Sequence, residues 1–364
     1  MTGRTLGVGV LGLQEGRSLL IGLNRPNWPS EHARVVAACD LDEGKFVLAR
    51  RDFPELFYTT RYDEMLSHPD VDIVAIYTPD PLHAEHICRA FEGGKHVICT
   101  KPLLISLADG KRVLETAQRT GRKLMVGQSS RFFGSFVRQR EAFEAGDVGE
   151  LEFLEAHYVH RMDWYYSRSA WTAEGTDWAF LGLSHPVDLV RWYLGSIEEV
   201  HAYGTRSSLA ARHGAKSFDL YSVNLRATDG RLARVLGHYG LHELHRARNT
   251  VELVLYGSEG TSLGQYPDLE YVYSREDRAE VVEDLFQRDS LYYFNWRTKG
   301  VHYGEFASYT NHFAQALTEG TPHAPDLYEG LGTVCVLEAI RRSAREGCPV
   351  KVAPLLLEVG LEAG

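Results

Sequence analysis

Apolar positions in the first third of the chain alternate between two spacings. Leu6–Leu11 is a short apolar run, Gly16–Leu23 spaces its apolar residues as one face of a helix does, and Arg34–Cys39 is a second run rich in Val and Ala. The alternation continues through Val71–Tyr77, a helical stretch over Leu82–Gly93, the strand His96–Cys99, a helix from Ser106 to Thr120 and the strand Leu124–Gly127. Ser106, with Asp109 three residues on, has the form of a capping box at the start of that helix. Strands separated by helices predict a parallel, doubly wound sheet with right-handed crossovers.

Beyond residue 128 the pattern changes. A helix is predicted over Phe136–Ala145, followed by strands at Leu151–His160, Glu198–Ser207, Asp219–Ala227, Arg231–Leu241 and Thr250–Tyr256. Turns such as Thr228-Asp229-Gly230 join them with few helices between, which predicts an open and largely antiparallel second sheet. Helices close the chain over Glu305–Thr318 and Tyr328–Arg345. Arg161–Asp177 and Gly264–Gly300 fit neither spacing and are expected as long functional or interface loops. The expected architecture is α/β plus α+β: a Rossmann domain over 1–128 and an α/β substrate and oligomerisation domain over 129–364.

Composition narrows the partners. A chain of 364 residues outgrows one hydrophobic core, and 44% hydrophobic with 24% charged residues is the make-up of a packed globular protein. Against 39 basic residues stand 49 acidic ones, a net charge of -10 that repels phosphate backbones and anionic membranes, so neither is expected as a partner. No apolar run approaches the roughly 20 residues of a membrane span, and no signal-peptide core follows Met1, so a cytoplasmic location is expected. Five widely spaced cysteines suit reduced thiols. His83 with His86, His157 with His160 and His242 with His245 lack the i, i+4 spacing of a helical ligand pair, so no metal site is expected.

The glycines of the first turn are the first chemical signal. A literal G-x-G-x-x-G falls on Gly7, Gly9 and Gly12, but inside the strand, where it cannot serve. The turn that can is Gly12-Leu13-Gln14-Glu15-Gly16, with Gly12 at the bend and Gly16 opening a helix whose amides would face a pyrophosphate. Gln14 stands where a second glycine would let phosphates approach the backbone. Asp40 ends the second strand, where a carboxylate accepts from ribose hydroxyls and repels a 2′-phosphate, favouring NAD over NADP. Capping of the following helix by Asp40 and Asp42 is the structural alternative.

Two later strand ends carry Tyr77-Thr78-Pro79-Asp80-Pro81-Leu82-His83 and Cys99-Thr100-Lys101-Pro102-Leu103. With Gly93-Gly94-Lys95-His96-Val97, Gln128 followed by Arg131-Phe132, and His185-Pro186-Val187-Asp188 followed by Arg191-Trp192, the chain resembles the Gfo/Idh/MocA family of oxidoreductases along its whole length. The resemblance implies hydride transfer between NAD(P) and a sugar or cyclitol carbon, and an open C-terminal sheet that makes oligomer contacts, a homodimer or homotetramer. It places Gly12, Leu13, Gln14, Gly16, Asp40, Thr78, Pro79, His83, Thr100, Lys101 and Gln128 along the dinucleotide. Lys101 and His185 become the catalytic pair, since an alcohol loses hydride only as its proton departs to a base while a cation steadies the alkoxide.

Departures from the family pattern accompany the matches. Glu-Lys-Pro is Thr100-Lys101-Pro102 here, and the aspartate one helical turn before the histidine is Leu181, leaving Asp163, Asp177 or Asp188 as possible substitutes. Arg131, Lys101 and His185 are expected on the substrate, with Trp164, Trp171 and Trp178 offering faces on which a sugar ring stacks. Absence of any Tyr-x-x-x-Lys argues against a short-chain dehydrogenase. Two other readings stay open: a glycosidase assisted by a held NAD, and a dinucleotide- or sugar-binding sensor of the same fold without turnover.

Overall fold

A computed structural model of the chain describes residues 4–24, 30–167, 170–244, 249–285 and 304–362. They belong to two compact units that interleave along the sequence: Met1–Leu104, Ala108–Ser129 and Ser290–Leu331 in the first, Ile105–Leu107, Ser130–Asp289 and Gly332–Gly364 in the second.

The first unit is built on six parallel strands, β1 (Leu6–Leu11), β2 (Ala33–Cys39), β3 (Phe57–Thr59), β4 (Ile73–Ile76), β5 (His96–Thr100) and β6 (Leu124–Gly127), in the order β3-β2-β1-β4-β5-β6. That order reverses direction between β1 and β4, the crevice where ligands of doubly wound sheets bind. Every residue of β4 and β6 is buried, which explains their unbroken apolar runs. The three-residue edge strand β3 is too short to show a period.

The helix Glu305–Glu319 also belongs to this unit, although a boundary at residue 128 assigns it to the other. Its Phe306, Ala307, Tyr309, Phe313 and Ala314 are buried. Tyr77 stacks on Phe306 at 5.1 Å between centroids, and the Tyr77 and Tyr309 hydroxyls share a hydrogen bond of 2.5 Å. Periodicity shows that a helix forms here; it carries no record of which sheet the apolar face will cover.

The second unit contains a nine-stranded sheet of β7 (Leu151–Val159), β8 (Ile197–Thr205), β9 (Leu220–Ala227), β10 (Leu232–His238), β11 (Val251–Gly257), β12 (Gly260–Tyr266), β13 (Glu270–Arg275), β14 (Arg278–Asp284) and β15 (Val350–Lys351). Its order is β14-β13-β12-β11-β7-β10-β9-β8-β15. All neighbours are antiparallel except β10 and β7, which run parallel from Leu232 opposite Phe153 to His238 opposite Val159. The helix Gly134–Glu144 packs on β12 and β13, and the helix Ser184–Leu194 on β7, β10 and β11. Along β9 the buried Tyr221, Val223 and Leu225 alternate with the exposed Ser222, Asn224 and Arg226, so one face is covered and the other is open.

Two stretches expected as loops are ordered. Residues 161–177 hold the short helices Asp163–Tyr166 and Ala170–Gly175. Residues 264–284 complete β12 and form β13 and β14, while 286–300 lie outside the described residues. Almost all of β14 is exposed, so its sequence shows no buried-face alternation. Among the described residues, no helix is long and apolar enough to cross a membrane.

Candidate functional site

The glycine turn of the first unit has the backbone its sequence requires. Gly12 sits at φ 91°, and a Cβ there would lie 2.7 Å from the Tyr77 carbonyl oxygen, so the turn lies directly against the end of β4. Gly16 is the N-cap of the helix Arg17–Leu23. Gln14 is exposed and Leu13 is buried, so neither the apolar nor the amide side chain closes the turn from within.

Asp40 is spent partly on the protein itself. Its Oδ2 accepts from the Leu13 N–H at 2.7 Å and lies 3.2 Å from the Lys45 ammonium, while Oδ1 accepts from the Asp42 N–H at 3.0 Å. Capping at Gly44 N–H falls to Asp42. Asp40 therefore braces the turn, and Oδ1, which accepts from one donor where Oδ2 accepts from two, is the oxygen with room for a ribose hydroxyl.

Lys101 follows β5 at the carboxyl edge of the sheet. Burial lowers its pKa to about 8, with Asp80 and Glu15 opposing that shift. The Lys101–Pro102 peptide is cis. Thr100 lies opposite Gly127 in the β5–β6 pairing, and Gln128, just past β6, is buried. Pro79 is exposed, and Thr78 Oγ1 is 3.0 Å from His86 Nδ1. Burial lowers the His86 pKa to about 4, so that ring is neutral.

His83 does not line a dinucleotide path. The residue is wholly buried, and both ring nitrogens are engaged by backbone carbonyls: Nε2 with Thr78 at 2.8 Å, Nδ1 with Pro102 at 3.0 Å and Leu103 at 3.2 Å.

In the second unit His185 opens the helix Ser184–Leu194 and is 6% exposed. Its Nδ1 is 3.2 Å from the Ser130 hydroxyl, and its ring meets Tyr158 edge-on, 5.5 Å between centroids. The other side of this cluster is the carboxyl end of β7, where His160 stacks with Tyr158 and pairs with Glu243 at 2.9 Å. Ser130, Tyr158, His160 and Glu243 were not singled out as site residues from sequence, although Tyr158 and His160 end a strand whose parallel partner ends beside them.

Other expected substrate contacts are occupied by protein. Arg131 is 6% exposed and its guanidinium makes two hydrogen bonds to Asp188, 2.7 and 3.0 Å, with Trp192 beneath it at 5.5 Å. Trp178 has no exposed surface; its ring stacks on Tyr239 at 4.7 Å and its N–H donates to the Tyr166 hydroxyl at 2.7 Å. Both are framework residues because their faces and donors are used inside the unit. Trp164 is 52% exposed and meets Tyr165 edge-on, 5.7 Å between centroids. Trp171 lies on the helix Ala170–Gly175, its side chain outside the described residues.

The three aspartates proposed to replace the carboxylate lost at Leu181 also have partners of their own. Asp163 pairs with His213 and Arg161, Asp177 caps Ala179 N–H and lies 3.5 Å from Arg341, and Asp188 holds Arg131. His157 contacts the Asn249 carbonyl and Glu252, not His160; His245 lies outside the described residues.

Residues 6–128 match the oxidoreductase family's NAD-binding Rossmann fold and residues 140–352 its C-terminal alpha/beta domain, both of the Gfo/Idh/MocA family. The chain is 28% identical over 334 residues to an inositol 2-dehydrogenase of Rubrobacter xylanophilus, covering 89% of this chain and 87% of that one. It is 30% identical over 248 residues to a 1-carboxy-3-chloro-3,4-dihydroxycyclohexa-1,5-diene dehydrogenase of Comamonas testosteroni, covering 65% of this chain and 60% of the other. The fold is shared with an oxidoreductase from Agrobacterium radiobacter solved with NAD+, L-tartaric acid and magnesium, at a TM-score of 0.84 and 19% identity over 97% of this chain and all of that one.

Proposed function

The chain belongs to the Gfo/Idh/MocA oxidoreductase family, NAD-binding domain included, and we propose that it moves hydride between nicotinamide and a secondary alcohol on a sugar, sugar derivative or cyclitol. Lys101 carries this reading: a half-buried lysine at the carboxyl edge of the sheet, its pKa lowered to about 8 by desolvation, can both take up and return a proton near neutral pH. Bound NAD supplies the hydride acceptor.

Gly12 to Gly16 is assigned to the pyrophosphate and Asp40 to the adenosine ribose, with Thr78, Pro79, Thr100 and Gln128 along the nicotinamide half. Gly12 fits this role because its positive φ turns the chain at the strand end and the Gln14 position beside it is exposed, while the Gly12 and Leu13 N–H groups are held by the Cys39 carbonyl and Asp40. Lys101 is assigned to the reacting hydroxyl: as amine it accepts the hydroxyl proton, and as ammonium it steadies the oxygen or returns a proton to a carbonyl. His185, oriented by Ser130, is assigned as a second proton-handling group. The names of the two relatives describe hydroxyl-bearing six-membered rings, which supports the substrate class.

Calorimetric titration with NADH and then NADPH, followed by NADH formation across a panel of cyclitols and sugars, tests the assignment. Micromolar NADH binding with turnover of at least one ring alcohol is expected. Binding with no turnover across the panel would favour the sensor reading, and loss of both would sink the assignment.

A further inference from the structure

We propose that His83 is a buried imidazolium, a positioning residue whose charge and two-sided hydrogen bonding tie the Thr78 turn to the Lys101–Leu103 turn and set the state of Lys101. A carbonyl oxygen only accepts hydrogen bonds. Since Nε2 faces the Thr78 carbonyl at 2.8 Å and Nδ1 faces those of Pro102 and Leu103 at 3.0 and 3.2 Å, both nitrogens must carry hydrogen. A neutral ring would aim one lone pair at a carbonyl lone pair inside the protein, with no water to relieve it, because His83 has no exposed surface.

A buried cation needs an opposing charge. Asp80, at the start of the short 3-10 turn Asp80–Leu82 that leads into the helix His83–Glu92, is the carboxylate that acts on both His83 and Lys101. The buried Cys99 side chain on β5, hydrogen-bonded to His83, favours the charged ring more than Asp80 does, and the remaining titratable groups are the neutral His86 on the same helix and Glu15 from the glycine turn, which acts on Lys101. Thr100 contributes no carboxylate at the position where the family pattern has one. Asp80 thus serves two cations, and Lys101 holds its proton less firmly than a lysine with an anion of its own. The β4–β5 pairing ends at Ile76 and Cys99, short of the two turns bearing Thr78 and Lys101, and the imidazolium is a bridge between those turns beyond it.

The importance of the bridge for turnover rests on the proposed role of Lys101, but its test needs no substrate. In protein carrying 15N-histidine, the His83 signals, identified by their loss in His83→Gln, are expected to show both nitrogens protonated through pH 8. A neutral tautomer at that pH would overturn the charge assignment. In 15N-lysine protein, His83→Gln is expected to raise the Lys101 titration midpoint by at least about half a pH unit, since Asp80 is then left to Lys101 alone; an unmoved midpoint would overturn the positioning role. Should His83→Gln fail to fold, Asp80→Asn gives the opposite sign, lowering the midpoints of both His83 and Lys101, and two unmoved midpoints there would overturn the shared-carboxylate arrangement. An inactive enzyme with these midpoints in place would instead refute the dehydrogenase assignment alone.

Discussion

The carboxylate of Asp40 accepts a 2.7 Å hydrogen bond from the backbone N–H of Leu13, so the end of β2 is tied to the glycine turn by one charged bond. The same oxygen lies 3.2 Å from Lys45. Asp40→Ser removes the anion that repels a 2′-phosphate and leaves the ammonium that attracts one. Cofactor preference is expected to move toward NADPH by about tenfold or more, equivalent to about 1.4 kcal/mol, read by calorimetric titration. An unchanged NADH to NADPH ratio would remove Asp40 from cofactor discrimination and leave it only the brace of the turn.

Lys101 gives a pH dependence with a definite sign. If it acts as the base, alcohol oxidation should accelerate as pH rises through about 8, and carbonyl reduction should slow over the same range. Folding couples to the same group. Its folded pKa lies below the ordinary 10.5, so the cost of desolvating the ammonium is fully present below pH 8 and disappears as pH rises from 8 to 10.5. Lys101→Met should abolish turnover and stabilise the fold at pH 7 by about 2–3 kcal/mol, with the gain gone near pH 10.5. Denaturant unfolding at the two pH values checks it; equal stability of both proteins at pH 7 would contradict the desolvated ammonium.

His185→Ala should lower kcat by about 100-fold or more and change the shape of the pH–rate profile. Ser130→Ala, which removes only the partner of Nδ1, should cost less and shift the profile without flattening it. A wild-type profile in His185→Ala would redirect the search to the His160–Glu243 pair on the other side of Tyr158.

The ion pair of Arg131 with Asp188 is a matter of stability. Breaking a buried pair leaves one charge uncompensated, so Arg131→Met should cost about 3–5 kcal/mol. Arg131→Met with Asp188→Leu should recover most of that loss in urea unfolding. Wild-type stability with altered substrate affinity in the single variant would return Arg131 to the substrate.

We propose that the open face of the nine-stranded sheet serves self-association. Tyr203 lies opposite the exposed Ser222 and Leu232 opposite the exposed Arg226, which places two exposed apolar side chains on that face. Light scattering after size exclusion is expected to give a dimer or tetramer that Tyr203→Glu with Leu232→Glu weakens. A monomer at working concentration would withdraw the assignment.

Residues that act through periodicity or a motif were readable in the sequence. The five longer strands of the first sheet, the glycine bend at Gly12 and Lys101 at a strand end each leave a local mark. His83 was legible as part of a motif, but its role was not, because only the fold shows that carbonyls from two separate turns meet its ring. Arg131 and Trp178 looked like ligand-facing groups for the same reason: a charge or an indole reads alike whether its partner is substrate or protein. Tyr158 and His160, two residues apart, share a face by the period of a strand, but Glu243 reaches them from beyond the end of β10, which no local spacing encodes.

The return of the helix Glu305–Glu319 to the first unit has a consequence for biosynthesis. Strand β6 is complete at Gly127, yet Phe306 and Tyr309, which pack on Tyr77, and Phe313, which packs on His96, emerge from the ribosome only after residues 128–304 have been made. At ordinary translation rates that is a delay of roughly 10–35 s. Throughout it the nascent six-stranded sheet carries an uncovered apolar face, so the domain whose strands are made first is among the last to close.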